Sequence, residues 1–316
     1  MAAGLDLASR YPDQMVRPRS LALAAPVLAA STALAYAALY EVRAFTLRRV
    51  TVPVLEPGSE PLRVLHLSDA HLRPQQHRKR EWLKSLAALE PDLVVNTGDN
   101  MAHLEAAPAV IDAYGELLDV PGVFVFGSND YFSPVFKNPV RYLLGGSGVE
   151  AGGAWQRSPD MPYEKLRSAF MARGWLDLSN RHGELEVKGK RLAFVGVDDP
   201  HLEFDELDDL PADPLADLAI GVAHAPYLRV LDRWNRSGYP LILAGHTHGG
   251  QLCVPGYGAL VSNCDLDPAR AKGLHRHHVP GHEPSWVHVS AGLGTSPYAP
   301  VRFACRPEAT LLTLTG

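Results

Sequence analysis

Five times between residues 62 and 250 a short apolar run stops in a polar block. LRVLHL ends in Ser68-Asp69-Ala70-His71, LVVNT in Gly98-Asp99-Asn100, and GVFVF in Gly127-Ser128-Asn129-Asp130; LAIGVA ends in His224, and LILA in Gly245-His246-Thr247-His248-Gly249-Gly250. Runs this short read as buried strands rather than helices. In an open α/β sheet, ligands gather beyond the carboxyl ends of the strands, so a chain with this habit is constrained to bring its polar blocks to one edge. Between the first runs, RKREWLKSLAAL at 78–89 carries Trp82, Leu86 and Leu89 on one helical face, and 106–118 predicts a second helix. LEVKG and RLAFVGVDDP predict a hairpin turning through Lys188-Gly189-Lys190.

Composition sets the outer bounds. With 316 residues, 46% hydrophobic and 21% charged, the chain buries a large core in one domain or two, which excludes a disordered polymer or a disulfide-stapled miniature. Thirty basic against 35 acidic residues leave a formal charge of -5, so no overall positive field invites nucleic acid. The three cysteines form no CxxC pair and carry no motif, whereas several of the 14 histidines fall inside the polar blocks.

Residues 21–40 read LALAAPVLAASTALAYAALY, twenty positions without a charge. At ~1.5 Å per residue a helix of that length covers a hydrocarbon core of ~30 Å. The expectation is a polar tail at 1–20, a transmembrane helix at 21–40, a linker or strand at 41–60 and the main domain at 61–316, in a single-pass membrane protein. A cleaved leader or a helix of the fold are the alternatives. Three arginines on each flank leave the orientation open.

Other segments carry weaker signals. The glycine-rich stretch between Phe132 and Met161 reads as a lid or surface loop, and the acidic run DDPHLEFDELDDLPADP, which lacks EF-hand spacing, as a solvated surface segment. His66 and His288 sit within strands as core or rim residues. The stretch Ser262-Asn263-Cys264-Asp265 and the trio His275, His277 and His278 are candidates for a substrate mouth but not for ligands.

An Asp-x-His pair alone is a weak signal, but five blocks in one chain need a joint explanation. Carboxylates buried side by side repel and lose solvation unless a cation joins them. Oxygen and nitrogen donors without thiolates suit Mn²⁺, Fe or Zn²⁺. Two such ions about 3.5 to 4 Å apart can share a carboxylate and activate water towards a phosphoryl group.

The order SDAH, TGDN, FGSND, VAHAP and GHTHGGQ resembles the calcineurin-like metallophosphoesterase family, and within it a bacterial membrane-associated, phosphodiesterase-like branch, from residue 62 to the C-terminus. The resemblance implies a four-layer α/β sandwich of two mixed β-sheets flanked by helices, here behind an N-terminal transmembrane helix. It also implies a metal-dependent phosphoester hydrolase, a phosphodiesterase or phosphatase, working through two ions (Mn, Fe or Zn) and a bridging hydroxide. Asp69, His71 and His248 would hold the first ion, Asp99 would bridge, and His224 with His246 would hold the second. Asp99, Asn129 and His224 are the candidate catalytic residues. The third block departs from the family's G-N-H-[D/E]: Ser128 stands where the family has its asparagine ligand, and Asn129 where it has a histidine. Either Asn129 reaches the second ion through its carbonyl oxygen, or Ser128 or a water takes that corner. An asparagine amide cannot act as a general acid. The expected partner is a phosphoester small molecule or, given the membrane segment, a lipid-linked phosphate, with no specific nucleic acid. The alternatives are a weakly active or non-catalytic metal-binding scaffold at the membrane, and a nuclease of the same superfamily.

Overall fold

The computed structural model describes residues 18–135, 158–208 and 210–316. Most of the glycine-rich stretch assigned to a lid or surface loop lies outside the described residues.

Two six-stranded sheets form the centre. The first runs in the order β1 (Thr46–Pro53), β14 (Glu308–Thr315), β2 (Leu62–Leu67), β3 (Leu93–Asn96), β4 (Gly122–Phe124) and β5 (Leu176–Asp177). The second runs β12 (Gly273–His277), β13 (Ser285–Val289), β9 (Leu241–Ala244), β8 (Leu218–Val222), β7 (Lys190–Gly196) and β6 (Arg181–Val187). Both are mixed. Strands β2 to β5 are parallel while β14 opposes β2, and β13, β9, β8 and β7 are parallel between the antiparallel edges β12 and β6. A small hairpin, β10 (Cys253–Val254) with β11 (Gly258–Ala259), follows the last polar block.

The helices are α1 (Pro18–Ala35), α2 (His77–Ser85), α3 (Ala107–Tyr114), α4 (Ser128–Tyr131), α5 (Tyr163–Met171) and α6 (Leu228–Arg236). Val64, Val95, Val123, Ile220, Leu243 and Leu312 pack between the sheets. Leu83 of α2, Val110 of α3 and Phe170 of α5 cover the outer face of the first sheet. Val230, Leu231 and Trp234 of α6 cover that of the second. The result is a four-layer sandwich. Strands β3 and β9 are buried at every position because both faces are covered, so their sequences are continuous apolar runs, whereas the edge strand β6 stays largely open to solvent. The helix expected at 78–89 divides, α2 ending at Ser85 before a tight turn at Leu86–Leu89, and Glu90 takes a left-handed backbone ahead of Pro91.

The transmembrane helix is corrected by the structure. Among the described residues no helix is long and apolar enough to cross a membrane. The α-helical part of the charge-free run ends at Ala35, so from Leu21 it covers only about 22 Å at ~1.5 Å per residue. Residues Tyr36–Tyr40 form a wider turn that belongs to the domain: the Ala37 carbonyl accepts the Arg302 amide at 3.2 Å, and Tyr36 meets the Phe303 ring edge-on. Glu41 then accepts from the Ala304 and Cys305 amides. Single-pass membrane localisation, membrane attachment through this helix, and the lipid-linked substrate inferred from it fall with the span.

Candidate metal centre

Strands β2, β3 and β4 of one sheet and β8 and β9 of the other finish at the same edge, and each delivers its polar block there. Asp69, His71, Asp99, His246 and His248 all take positive φ, between 41° and 70°. Each such non-glycine backbone costs on the order of 1 to 3 kcal/mol and persists where surrounding contacts enforce it. Here the loops are tied together directly: the Asp69 amide donates to the Gly98 carbonyl at 2.8 Å and the His71 amide to the Asp99 carbonyl at 2.9 Å.

The side chains converge in two overlapping groups. Asp69, His71 and His248 each offer one donor atom within 4.8 Å of the others, and so do Asp69, Asp99 and His224. Asp99 Oδ2 stands 3.4 Å from His71 Nε2 and 3.6 Å from His224 Nε2, while His248 Nε2 is 3.7 Å from Asp69 Oδ1. His224 Nδ1 donates to the Thr97 carbonyl at 2.7 Å, so its Nε2 is left facing Asp99 and His246 Nδ1, the latter at 3.3 Å. His246 Nε2 likewise donates to the Asn263 carbonyl at 3.1 Å, which turns its Nδ1 lone pair inward. Asp69 Oδ2 accepts from the Ser68 hydroxyl and, at 3.0 Å, from the His246 amide.

Electrostatics mark the cluster as strained without a cation. Burial lifts the Asp69 carboxyl to about 6, with Asp99 adding to the effect. Burial likewise holds His71 down at about 4 and pushes His246 and His248 well below the usual imidazole range. His224 goes the other way: burial opposes its charge, but the carboxylates of Asp99, Asp199 and Asp69 outweigh that and raise it to about 9. Asp99 is held low against burial by His224, His71 and two hydrogen bonds from Asn129.

These residues fit a pair of divalent ions. Asp69 Oδ1 and both ring nitrogens of His71 are buried without a hydrogen-bond partner, a deficit that coordination would remove. The donors are carboxylate oxygens and imidazole nitrogens, as Mn²⁺, Fe and Zn²⁺ accept.

The calcineurin-like phosphoesterase family model matches residues 62–250, more than half of the chain and all five blocks. The chain belongs to that family. It is a metal-dependent phosphoester hydrolase, a metallophosphoesterase with a dinuclear site. Among its relatives, YpbG of Bacillus subtilis is 28% identical over 82% of this chain and 83% of its own length. The phosphodiesterase YaeI of Escherichia coli is 26% identical over 94% of this chain and 98% of its own. Of solved structures, the 5'-nucleotidase precursor from Thermus thermophilus overlays 80% of this chain and 55% of its own, with a TM-score of 0.43 at 15% identity.

Within this metallophosphoesterase site, the fold brings Asp69, His71, Asp99, His224, His246 and His248 to one edge. Asn129 also arrives, but through its nitrogens: its amide donates to Asp99 Oδ1 at 2.8 Å and its side-chain Nδ2 to Asp99 Oδ2 at 2.7 Å, with Ser128 Oγ 3.3 Å away. Asp130 turns back to cap its own short helix, accepting from Gly127 and Asn100, and burial raises it to about 7. His275 and His277 lie on edge strand β12, bonded to the Lys272 carbonyl and to Asp232.

Sequence reading missed four participants. Asp199 and His201 come from the run taken as solvated surface, yet both are buried. Asp199 Oδ2 has no partner and the carboxyl is raised by burial to about 7, while the His201 ring lies on His246 at 4.5 Å between centroids. The available signal was that VGVDDPH, like the five blocks, follows an apolar strand, here β7. Lys79 is buried on α2 with its ammonium on the Ala70 carbonyl at 2.7 Å, and Arg302 is fully buried behind His248. Neither stands in a motif.

Proposed function

We propose that this metallophosphoesterase is a phosphodiesterase of the bacterial branch to which YaeI belongs, with residues 61–316 as its catalytic unit. Asp69, His71 and His248 hold one ion and His224 and His246 the other, with Asn129 at the second ion's edge and Asp99 shared. The observation that carries the reading is the position of Asp99 Oδ2, within 3.6 Å of a histidine from each half-site and hydrogen-bonded by Asn129. When bound, the ions supply Lewis-acid polarisation of the phosphoryl group and a strong nucleophile from water near neutral pH. Asn129 keeps Asp99 oriented, and the Thr97 and Asn263 carbonyls fix the ring faces that His224 and His246 present. The likeness to YaeI over nearly the whole of both chains supports a diester preference.

Purified protein with Mn²⁺ is expected to hydrolyse bis-p-nitrophenyl phosphate faster than p-nitrophenyl phosphate. Partners outside the ligand shell are worth about 10- to 100-fold, so Asp99→Asn should cost at least about 100-fold in kcat/KM, and more than His246→Ala. A monoester preference would remove the diester reading, and equal losses in the two variants would remove the shared role of Asp99.

A further inference from the structure

Behind the first half-site lies a guanidinium whose two Nη groups go to backbone carbonyls. Arg302 has no exposed surface. Its Nη2 donates to the carbonyls of Ala291 and Gly294 at 2.7 Å each, with Gly292 at 3.1 Å. Its Nη1 reaches the carbonyls of Cys305 at 3.3 Å and His248 at 3.4 Å, with Cys305 Sγ 3.9 Å away. Nη2 also stands 3.3 Å from His248 Nδ1. With its two hydrogens spent on the shorter carbonyl contacts, that approach packs against the ring and leaves Nε2 turned to Asp69. Its Nε is buried without a hydrogen-bond partner. A buried cation costs desolvation that an apolar side chain would avoid, so its fork must accomplish something.

What it joins is specific. The 291–294 segment is a backbone clamp on the Asp69-Ala70-His71 loop: the Leu293 amide donates to the Ser68 carbonyl at 3.1 Å and the Gly294 amide to the Asp69 carbonyl at 2.6 Å. The approach is so close that a Cβ on Gly292 would fall 2.6 Å from Asp69 Cβ, and one on Gly294 2.6 Å from His71 Cβ. The far side of the fork holds the His248 loop, where His248, Gly249, Gly250 and Gln251 all have positive φ. One side chain thus ties together the loops that carry all three members of the Asp69, His71 and His248 group. No Arg302 donor reaches Asp99, His224 or His246.

We propose that Arg302 is a positioning residue for the first ion alone, setting the distance between the Asp69-x-His71 loop and His248 through the geometry of its fork rather than through its charge. This rests on the two-ion reading above. Lysine keeps the charge but offers a single point donor, so it cannot replace a fork that reaches both loops at once.

The test is Mn²⁺ titration of the full chain by calorimetry, with the electron-spin resonance of the coupled ion pair as a second signal. Wild type should take two ions. Arg302→Lys and Arg302→Met should both keep one with unchanged affinity, weaken the other about 10- to 100-fold, and lose the coupled signal at limiting metal. Phe170→Leu, in the helical layer far from the edge, serves as a variant of lowered thermal stability and should leave both affinities intact. Unchanged affinities in both Arg302 variants overturn the proposal while the two-ion reading stands. Equal weakening of both ions, rescue by lysine, or the same selective loss in Phe170→Leu also overturns it. A wild type that takes a single ion overturns the two-ion reading and this proposal with it.

Discussion

On the two-ion reading proposed above, Asn129 governs how the chemistry ends. Its amide can donate a hydrogen bond and orient Asp99, but it has no proton to give a departing alkoxide near neutral pH. A general acid is worth about 10²- to 10⁴-fold, and its absence shows as a steep fall in rate as the leaving group becomes more basic. Across aryl and alkyl diesters of similar size, kcat should therefore drop sharply with rising leaving-group pKa. The double variant Ser128→Asn/Asn129→His should recover alkyl esters more than nitrophenyl esters. A wild-type rate nearly independent of the leaving group, with chemistry rate-limiting, would show that another acid serves. The contrast between Asn129 and Arg302 also marks the limit of sequence reading at this scale. Asn129 was legible because its neighbours Gly127 and Asp130 frame it within a contiguous block. Arg302 was not, because its contacts are with carbonyls eight to eleven residues upstream and with a loop 54 residues away. Asp199 was hidden by composition: six further acidic residues within ten positions made a buried carboxylate look like part of a solvated face.

At the scale of elements, apolar periodicity located the strands that position the site, since β2, β3, β8 and β9 are short runs closed on both faces. It failed at the charge-free run, because the absence of charge says that a segment is apolar but not where a helix stops. The stop is tertiary, set by Arg302, Phe303 and the amides that meet Glu41. His66 on β2 and His288 on β13 face each other across the core, Nδ1 to Nδ1 at 2.9 Å, with His66 Nε2 on Thr97 Oγ1 at 3.0 Å. Burial holds His288 at about 3 and His66 well below the usual value. Both remain neutral in the fold, while the unfolded chain takes up protons near pH 6.5. Stability from this pair is fully present above about pH 6.5 and is lost as pH falls towards 3, at about 1.4 kcal/mol per pH unit for each histidine. In urea melts of metal-free protein between pH 4.5 and 7, His66→Leu/His288→Leu should flatten the acid limb. Loss of packing shifts the level of the curve but not its slope, so parallel curves for variant and wild type would refute the assignment.

For the whole molecule, the four-layer sandwich explains why a cluster this unfavourable is tolerated. Two sheets bury continuous apolar faces against each other and against helices, and that core forces the loops at one edge to converge whether or not their charges agree. The strand-helix alternation made an α/β sheet legible, whereas the division into two mixed sheets came only with the family resemblance, because no local pattern tells β9 to pair with β13 rather than with β2. The cost of convergence should be readable as a stability difference. Asp99 helps keep Asp69 above its ordinary carboxyl range, so the metal-free fold carries an electrostatic penalty that two cations would relieve. Ions at about 1,000 times their dissociation constants add about 4 kcal/mol each, about 8 kcal/mol for two, to the folded state. In a domain of this size that corresponds to a rise in Tm on the order of 10 °C when Mn²⁺ is restored after chelation. Asp99→Asn tests the shared role. In the metal-free protein His224, His71 and two hydrogen bonds from Asn129 hold Asp99 ionised, so removing its charge loses favourable contacts that outweigh the relief at Asp69. The variant should therefore melt below wild type in chelator, and further below it in Mn²⁺ if Asp99 is the ligand the two ions share. Calorimetric scans of both proteins in both conditions measure the two gaps; if the gap is no wider with Mn²⁺, Asp99 holds no ion.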